Sequence, residues 1–432
     1  MQKLEKFLTV LVVMSFGGTV LPALIANGAL PTGPLDVESP AVMFIFAGVY
    51  LVILFLLLLR QGIVWRVPTV NPVLTALVIL AFVSAAWSVF PDVTLRRSVA
   101  LTFTTLFGLY LALRWRLEEA VAMLATGLGL LILLSFVFVA AVPQIGVDQD
   151  IHRGAWKGVF FQKNVTGRMI VWFSLSVLWL DWMGCRPKWL LRGSFLAAFL
   201  LLVMSRSGTG LLSTIMVAVV MLSVRLLRVN IRTLIPALAF LGFGVLVAAA
   251  LISADFREAM YMIGRDATLT GRTELWRFAR EMLKDDFVLG YGYAAFWYGL
   301  YGPASYYTTG WGITSVHNGW LEVLLDVGIV GLILMIYLMG RLLFGGVLVA
   351  RYVDWREAPW ILAVALGLLA VSISESVFLE RHSLNWVVFV LGVTRVAILR
   401  RRARAPASPL GPIPQATPAY AGTGGLGYAP TR

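Results

Sequence analysis

The sequence predicts an all-α polytopic membrane protein with about 12 transmembrane helices. Three observations predict it. Of 432 residues, 59% are hydrophobic and only 13% charged, whereas a soluble domain carries roughly a quarter charged residues. The apolar residues form continuous runs near the roughly 20 residues that a spanning helix needs, not the alternation of a β-barrel. Lys and Arg recur in every second connection, as the positive-inside rule requires.

Taken in order, the predicted spans are 7–27, 41–59, 70–88, 97–113, 119–142, 165–182, 189–204, 208–224, 233–254, 317–340, 359–379 and 383–399. The first follows Lys3 and Lys6 without a small-residue cleavage site, so it reads as a span and not a signal peptide. The seventh is short and the fourth is tinged with polar residues. With the N-terminus inside, the basic connections carry Arg60 and Arg66, Arg114 and Arg116, Arg186 and Lys188, Arg225 and Arg228, and Arg341 and Arg351, with Arg400 and Arg401 closing the series. Both termini are therefore expected in the cytoplasm. The net charge of +13 reads as topology plus contact with anionic lipid heads, not as nucleic-acid binding. Residues 1–404 are expected to form one transmembrane domain. Residues 405–432, rich in Pro, Gly and Ala, are expected to form a disordered cytoplasmic tail.

Two outer connections are longer than the rest. One is 143–164, with His152, Arg153, Lys157, Lys163 and Asn164. The other is 255–316, and a loop of about 60 residues in a compact protein is often functional. Within it, 272–284 places Leu275, Phe278, Ala279 and Met282 on one helical face, with Arg272, Arg277 and Arg280 opposite. That amphipathic helix is suited to the membrane surface. The stretch 290–311 then carries Tyr291, Tyr293, Phe296, Trp297, Tyr298, Tyr301, Tyr306, Tyr307 and Trp311. These residues suit an interfacial aromatic belt or a platform for sugar rings.

Several outer-face cations break the charge rule. They are Arg96, Arg97, Arg153, Lys157, Lys163, Arg168, Arg206 and Arg381. Taken singly, each suits a snorkelling or lipid-head contact. Converging on one face, guanidinium groups suit a phosphate-bearing anion, whose oxygens they grip in pairs. His317 and Asn318 open the tenth span, where a histidine can exchange a proton near neutral pH or simply sit at the interface. Glu322 and Asp326 follow on that helix, and Glu375 lies within the eleventh span near its outer end. Ionisable groups inside spans are functional or paired by default. The single cysteine, Cys185, excludes an intrachain disulfide and a cysteine zinc site, and the three histidines are scattered.

The stretch GRTELWRFAREMLKDDFVLGYGYAAF, followed by HNGWLEVLLDVGIVGL, resembles the signature region of the O-antigen ligase and Wzy-type polymerase superfamily. The blocks GVFFQKNVTGRM and SRSGTG resemble further parts of it. The first is similar to the exopolysaccharide polymerase branch, although Gln162 stands where that branch has His. The resemblance covers roughly 155–340. It implies a GT-C-type membrane glycosyltransferase that needs no metal and no cofactor. The donor it implies is an undecaprenyl-diphosphate-linked oligosaccharide, used at the periplasmic face of the bacterial inner membrane. It makes His317 the residue that activates the acceptor, and Arg272, Arg206 and Lys163 the holders of the diphosphate. Asn164, Arg97, Arg153, Asn318, Glu375 and Arg381 complete the candidate substrate site.

The acceptor stays open. A polymerase uses another lipid-linked glycan and takes a chain-length regulator as a further partner, while a ligase uses lipid A-core. Lys163 and Asn164 favour the polymerase. A lipid-linked oligosaccharide flippase also has about a dozen spans, but the halves show no repeat of Gly/Pro-interrupted spans, and the charges gather at one face. A purely structural scaffold explains neither the arginines nor the organised loop.

Overall fold

The computed structural model describes residues 1–27, 39–64, 66–149, 152–227, 272–299, 302–305, 307, 313–353 and 355–404. Over these residues the protein is an all-helical membrane protein. Its only extended pairings among the described residues are two isolated antiparallel bridges, Thr19 with Phe160 and Val147 with Trp156. The predicted ninth span (233–254), the first part of the long loop, Tyr301, Tyr306, Trp311 and the tail 405–432 lie outside the described residues.

The helices are α1 (Gln2–Ser15), α2 (Leu21–Asn27), α3 (Pro40–Leu58), α4 (Gln61–Val64), α5 (Val67–Val70), α6 (Pro72–Val83), α7 (Pro91–Arg114) and α8 (Leu117–Ala141). They continue with α9 (Pro143–Gly146), α10 (Lys163–Met183), α11 (Lys188–Ser205), α12 (Gly208–Leu227), α13 (Arg272–Met282), α14 (Gly319–Tyr352), α15 (Ala358–Ser372) and α16 (Leu384–Arg404). Local chemistry sets several ends. Ser39 and Asn71 cap α3 and α6, each followed by a proline in the first turn, where the missing N–H costs nothing. Gly184 closes α10 in the left-handed conformation.

Among the described residues, α3, α8, α11 and α14 are each long and apolar enough to cross a membrane, and α6, α12 and α15 contain shorter apolar helices. Exposed Phe44, Leu51, Leu58, Leu133, Leu196, Leu200, Ile333 and Phe344 give these helices apolar outer faces, the arrangement lipid requires and water penalises. The largely buried α10 packs on α8, α11, α12 and α15. It meets α12 where a Cβ at Gly210 would lie 2.6 Å from the Gly167 Cα, so the backbones approach through small residues.

Three expectations change. The first span is broken, because α1 ends at Ser15 and α2 begins at Leu21. The intervening backbone is used elsewhere: Leu384 N–H donates to Phe16 O, and Val20 N–H to Val159 O. The helix of the eleventh predicted span, α15, ends at Ser372, so Glu375 lies in the loop before α16 and not inside a span. The helix of the tenth predicted span, α14, extends to Tyr352 but breaks at Val327 and Gly328, which have non-helical backbone angles. Chain from the long loop fills this break. Tyr291 N–H donates to Leu325 O at 2.8 Å, and Ile329 N–H to Phe287 O at 3.0 Å. A polar backbone interruption is tolerable in a membrane bundle when protein groups satisfy it in this way.

Candidate functional site

Three segments far apart in sequence meet around Glu375. The N-terminal turn of α10 brings Asn164, and Arg168 follows one turn later on the same face. The first residue of α13 is Arg272. His317 immediately precedes Asn318, the cap of α14, and adopts the left-handed conformation with φ of 52°. That conformation is uncommon for a non-glycine residue, though histidine tolerates it better than most.

The contacts to Glu375 are specific. Its Oε1 accepts hydrogen bonds from Arg272 Nη2 at 2.9 Å and Asn164 Nδ2 at 3.0 Å. Its Oε2 lies 3.6 Å from His317 Nδ1 and 3.9 Å from Arg168 Nη1. The His317 contact is ionic in length and longer than a hydrogen bond; Nδ1 is buried without a hydrogen-bond partner among the described residues. Glu375 is 2% exposed, whereas His317 keeps 26% of its side chain accessible. Burial pushes the Glu375 carboxyl up, but His317, Arg168 and Arg272 outweigh burial and hold it at about 2. The carboxylate is therefore ionised at neutral pH, and it faces four neighbours at once.

Residues 193–336 match the model of the O-antigen ligase family. The chain is also 25% identical, over 283 residues, to the exopolysaccharide production protein ExoQ of Rhizobium meliloti (strain 1021). The aligned part is 62% of this chain and 64% of that relative, so the chain spans under two thirds of the relative's length. The two findings support the O-antigen ligase and Wzy-type family. Within the cluster, the matched O-antigen ligase segment includes Arg206, Arg272, His317 and Asn318, while Lys163, Asn164, Arg168 and Glu375 lie outside it.

The remaining predicted residues separate into three groups. Lys163, Arg206 and Arg153 form a rim. The charges of Arg206 and Arg272 both act on Lys163, and Arg206 Nη1 reaches the Arg153 carbonyl at 3.5 Å from an exposed position. Asn318 caps α14: its Oδ1 accepts the N–H groups of Trp320 and Leu321 at 3.1 Å, and its Nδ2 points to Ile373 O. Arg97 and Arg381 belong to a different group. Arg97 is buried, donates to the Ala294 carbonyl and lies over the Tyr298 ring at 4.9 Å. The charge of Arg381 acts on Tyr293, Asp326 and His382. Arg97 is thus placed to hold the long loop.

The two carboxylates of α14 also serve the loops. Asp326 Oδ1 accepts Ala294 N–H at 2.9 Å, and Glu322 Oε2 accepts both Val316 N–H and Ser376 Oγ at 2.8 Å. The amphipathic α13 turns its apolar face into the protein. Its Leu275 and Ala279 join Tyr291, Phe296, Trp297 and Leu325 in a second apolar core of the protein's own. Tyr291, Tyr293, Phe296 and Trp297 are buried, and the hydroxyls of Tyr291 and Tyr293 donate to Met282 O and Leu379 O. These four aromatics build the loop instead of displaying faces to a sugar. Arg168, one of the outer-face cations, joins the cluster as well. Its signal was its spacing of four from Asn164 on an interior helix. Among the described residues, no group of three or more His, Cys, Asp and Glu side chains could hold a metal ion.

Proposed function

We propose that this protein transfers a glycan from an undecaprenyl-diphosphate-linked donor to an acceptor hydroxyl at the periplasmic face of the inner membrane, with inversion and without a metal. The observation that carries this reading is the cluster of His317, Arg272, Arg168 and Asn164 around one buried carboxylate, Glu375. Glu375 faces Nδ1 of His317, which leaves Nε2 for the acceptor. The acceptor oxygen attacks the anomeric carbon, its proton passes to His317, and the bond from that carbon to the diphosphate oxygen breaks. Glu375 then stabilises the imidazolium that forms, as the third member of a catalytic triad does. Arg272, Arg206 and Lys163 neutralise the departing lipid diphosphate, a charge that grows in the transition state. A GT-C-type bundle of about 12 spans with both termini in the cytoplasm is the architecture that goes with this reading.

The acceptor we favour is a second lipid-linked glycan, giving polymerisation of exopolysaccharide or O-antigen repeats. The likeness to a protein named for exopolysaccharide production supports it. The match to the O-antigen ligase model keeps lipid A-core as the second reading. An in vitro transfer assay with the purified full chain and a lipid-linked repeat tests both. We expect a ladder of polymer from the wild type and none from His317→Ala. Single repeats joined only to added lipid A-core would establish the ligase, and undiminished transfer by His317→Ala would remove that histidine from the chemistry.

A further inference from the structure

At the other end of the bundle lies a second arginine cluster that the transfer reaction does not use. Arg97, near the start of α7, holds the long loop, and Arg114, at its end, is seventeen residues further along. That is roughly 25 Å at 1.5 Å per residue. Around Arg114 the helices leave a cavity of about 810 Å³. Arg66 enters it from the turn before α5, and Arg114 and Arg116 from either side of the α7–α8 connection. Arg356 lines it from the turn before α15, and Arg395, Arg401 and Arg402 from α16. Only two carboxylates, Glu118 and Glu357, share the lining.

Several of these arginines are already engaged. Glu357 accepts both arms of the Arg395 fork, and Glu5, from behind the wall, accepts two hydrogen bonds from Arg114 at 2.8 and 3.1 Å. Arg401 donates to the Thr69 carbonyl, and Arg116 lies 3.5 Å from Glu118. Arg66 and Arg402 are exposed, and neither has an ion-pair partner among the described residues. Val70, Leu113, Trp115 and Ile398 supply apolar wall. Charge repulsion alone spreads cations apart on a surface; here five elements turn them into one cavity. The missing component is an anion with several oxygens, which planar guanidinium forks grip in pairs. Basic pockets between membrane helices take phosphate head groups in this way.

We propose that this cavity binds a phosphate-bearing anion, either the head group of an anionic phospholipid or a free phosphate, with Arg66 and Arg402 as its unengaged ligands. The test uses the purified full chain in nanodiscs of phosphatidylcholine, with or without phosphatidylglycerol. Retained lipid is counted by native mass spectrometry, and the thermal midpoint is followed with inorganic phosphate against chloride at matched ionic strength. We expect the wild type to retain phosphatidylglycerol and Arg66→Gln/Arg402→Gln to retain roughly tenfold less or lower still, since each lost charge-assisted pair weakens binding. Stabilisation of the wild type by inorganic phosphate, absent from the variant, would identify the free anion as the source. Equal lipid retention by the two proteins, with no response of either to phosphate, would overturn the proposal. Both positions are exposed, so the variant keeps its fold, and unchanged elution of the purified protein checks that it does.

Discussion

Arg272 Nη2 donates a 2.9 Å hydrogen bond to Glu375 Oε1 across 103 positions of sequence. The bond ties the first residue of the amphipathic helix to the loop between α15 and α16, and the same carboxylate faces His317. One buried acid thus sets the spacing between the proposed phosphate-binding arginine and the proposed proton acceptor.

Glu375→Gln should therefore lower transfer more than it lowers binding. The amide keeps the shape but loses the charge that stabilises protonated His317, and losing such support in a general-base site costs about 10²–10⁴ in rate. The expected signature is a fall in kcat with a small change in donor KM, and partial recovery in Glu375→Asp. Loss of binding with unchanged kcat would count against the positioning role.

The same carboxylate predicts an acid limit. Glu375 is lowered from 4.5 to about 2 in the fold. A depressed carboxylate adds stability that is fully present above its unfolded value and is lost as pH falls through the folded one. The contribution, roughly 3 kcal/mol by linkage, should hold at neutral pH and disappear between about pH 4.5 and 2. Thermal midpoints of the purified protein should fall across that window, and the fall should be smaller in Glu375→Gln.

Gly328→Ala should loosen the long loop. Gly328 has φ of 66° and ψ of −166°, a region essentially restricted to glycine. An added Cβ would also lie 2.1 Å from Val288 O. We expect a loss of about 1–3 kcal/mol, read as a lower thermal midpoint and faster proteolysis within 285–299.

Arg206 and Arg97 should fail in opposite ways. Arg206 is exposed and makes one long hydrogen bond, so Arg206→Ala should raise donor KM about tenfold with no change in thermal midpoint. Buried Arg97 clamps Ala294 and stacks on Tyr298. Arg97→Ala should lower the midpoint by the equivalent of about 1–3 kcal/mol, the cost of leaving buried acceptors unpaired. Enzyme assays and thermal unfolding on the two variants separate these outcomes.

The helices were legible because apolar periodicity and end signals act locally. Pro40, Pro72 and Pro91 each start a helix, and α8, α10 and α11 fall within two residues of the bounds the apolar runs predict. The breaks were not legible. Phe16 to Val20 falls inside the first predicted span, yet its backbone bonds to Val159 and Leu384, partners that no local window contains. Gly328 reads as a helical glycine until Phe287 and Tyr291 are seen to fill its turn.

The site divides along the same line. Residue type nominated His317, Arg206 and Glu375, because ionisable groups at a membrane face must be paired or used, and the family resemblance added Arg272. By itself the sequence determined a bundle of apolar helices, the charge asymmetry of its ends, and this pool of candidates. Only the tertiary structure decided which candidates meet. It drew Asn164, Arg168, Arg272 and His317 to Glu375, and it assigned Arg97 to the loop and Asn318 to a helix cap. The reason is physical. A buried charge must find its counter-charges wherever the chain folds back, and the partners of Glu375 lie as far as 211 positions away, beyond the reach of any local pattern.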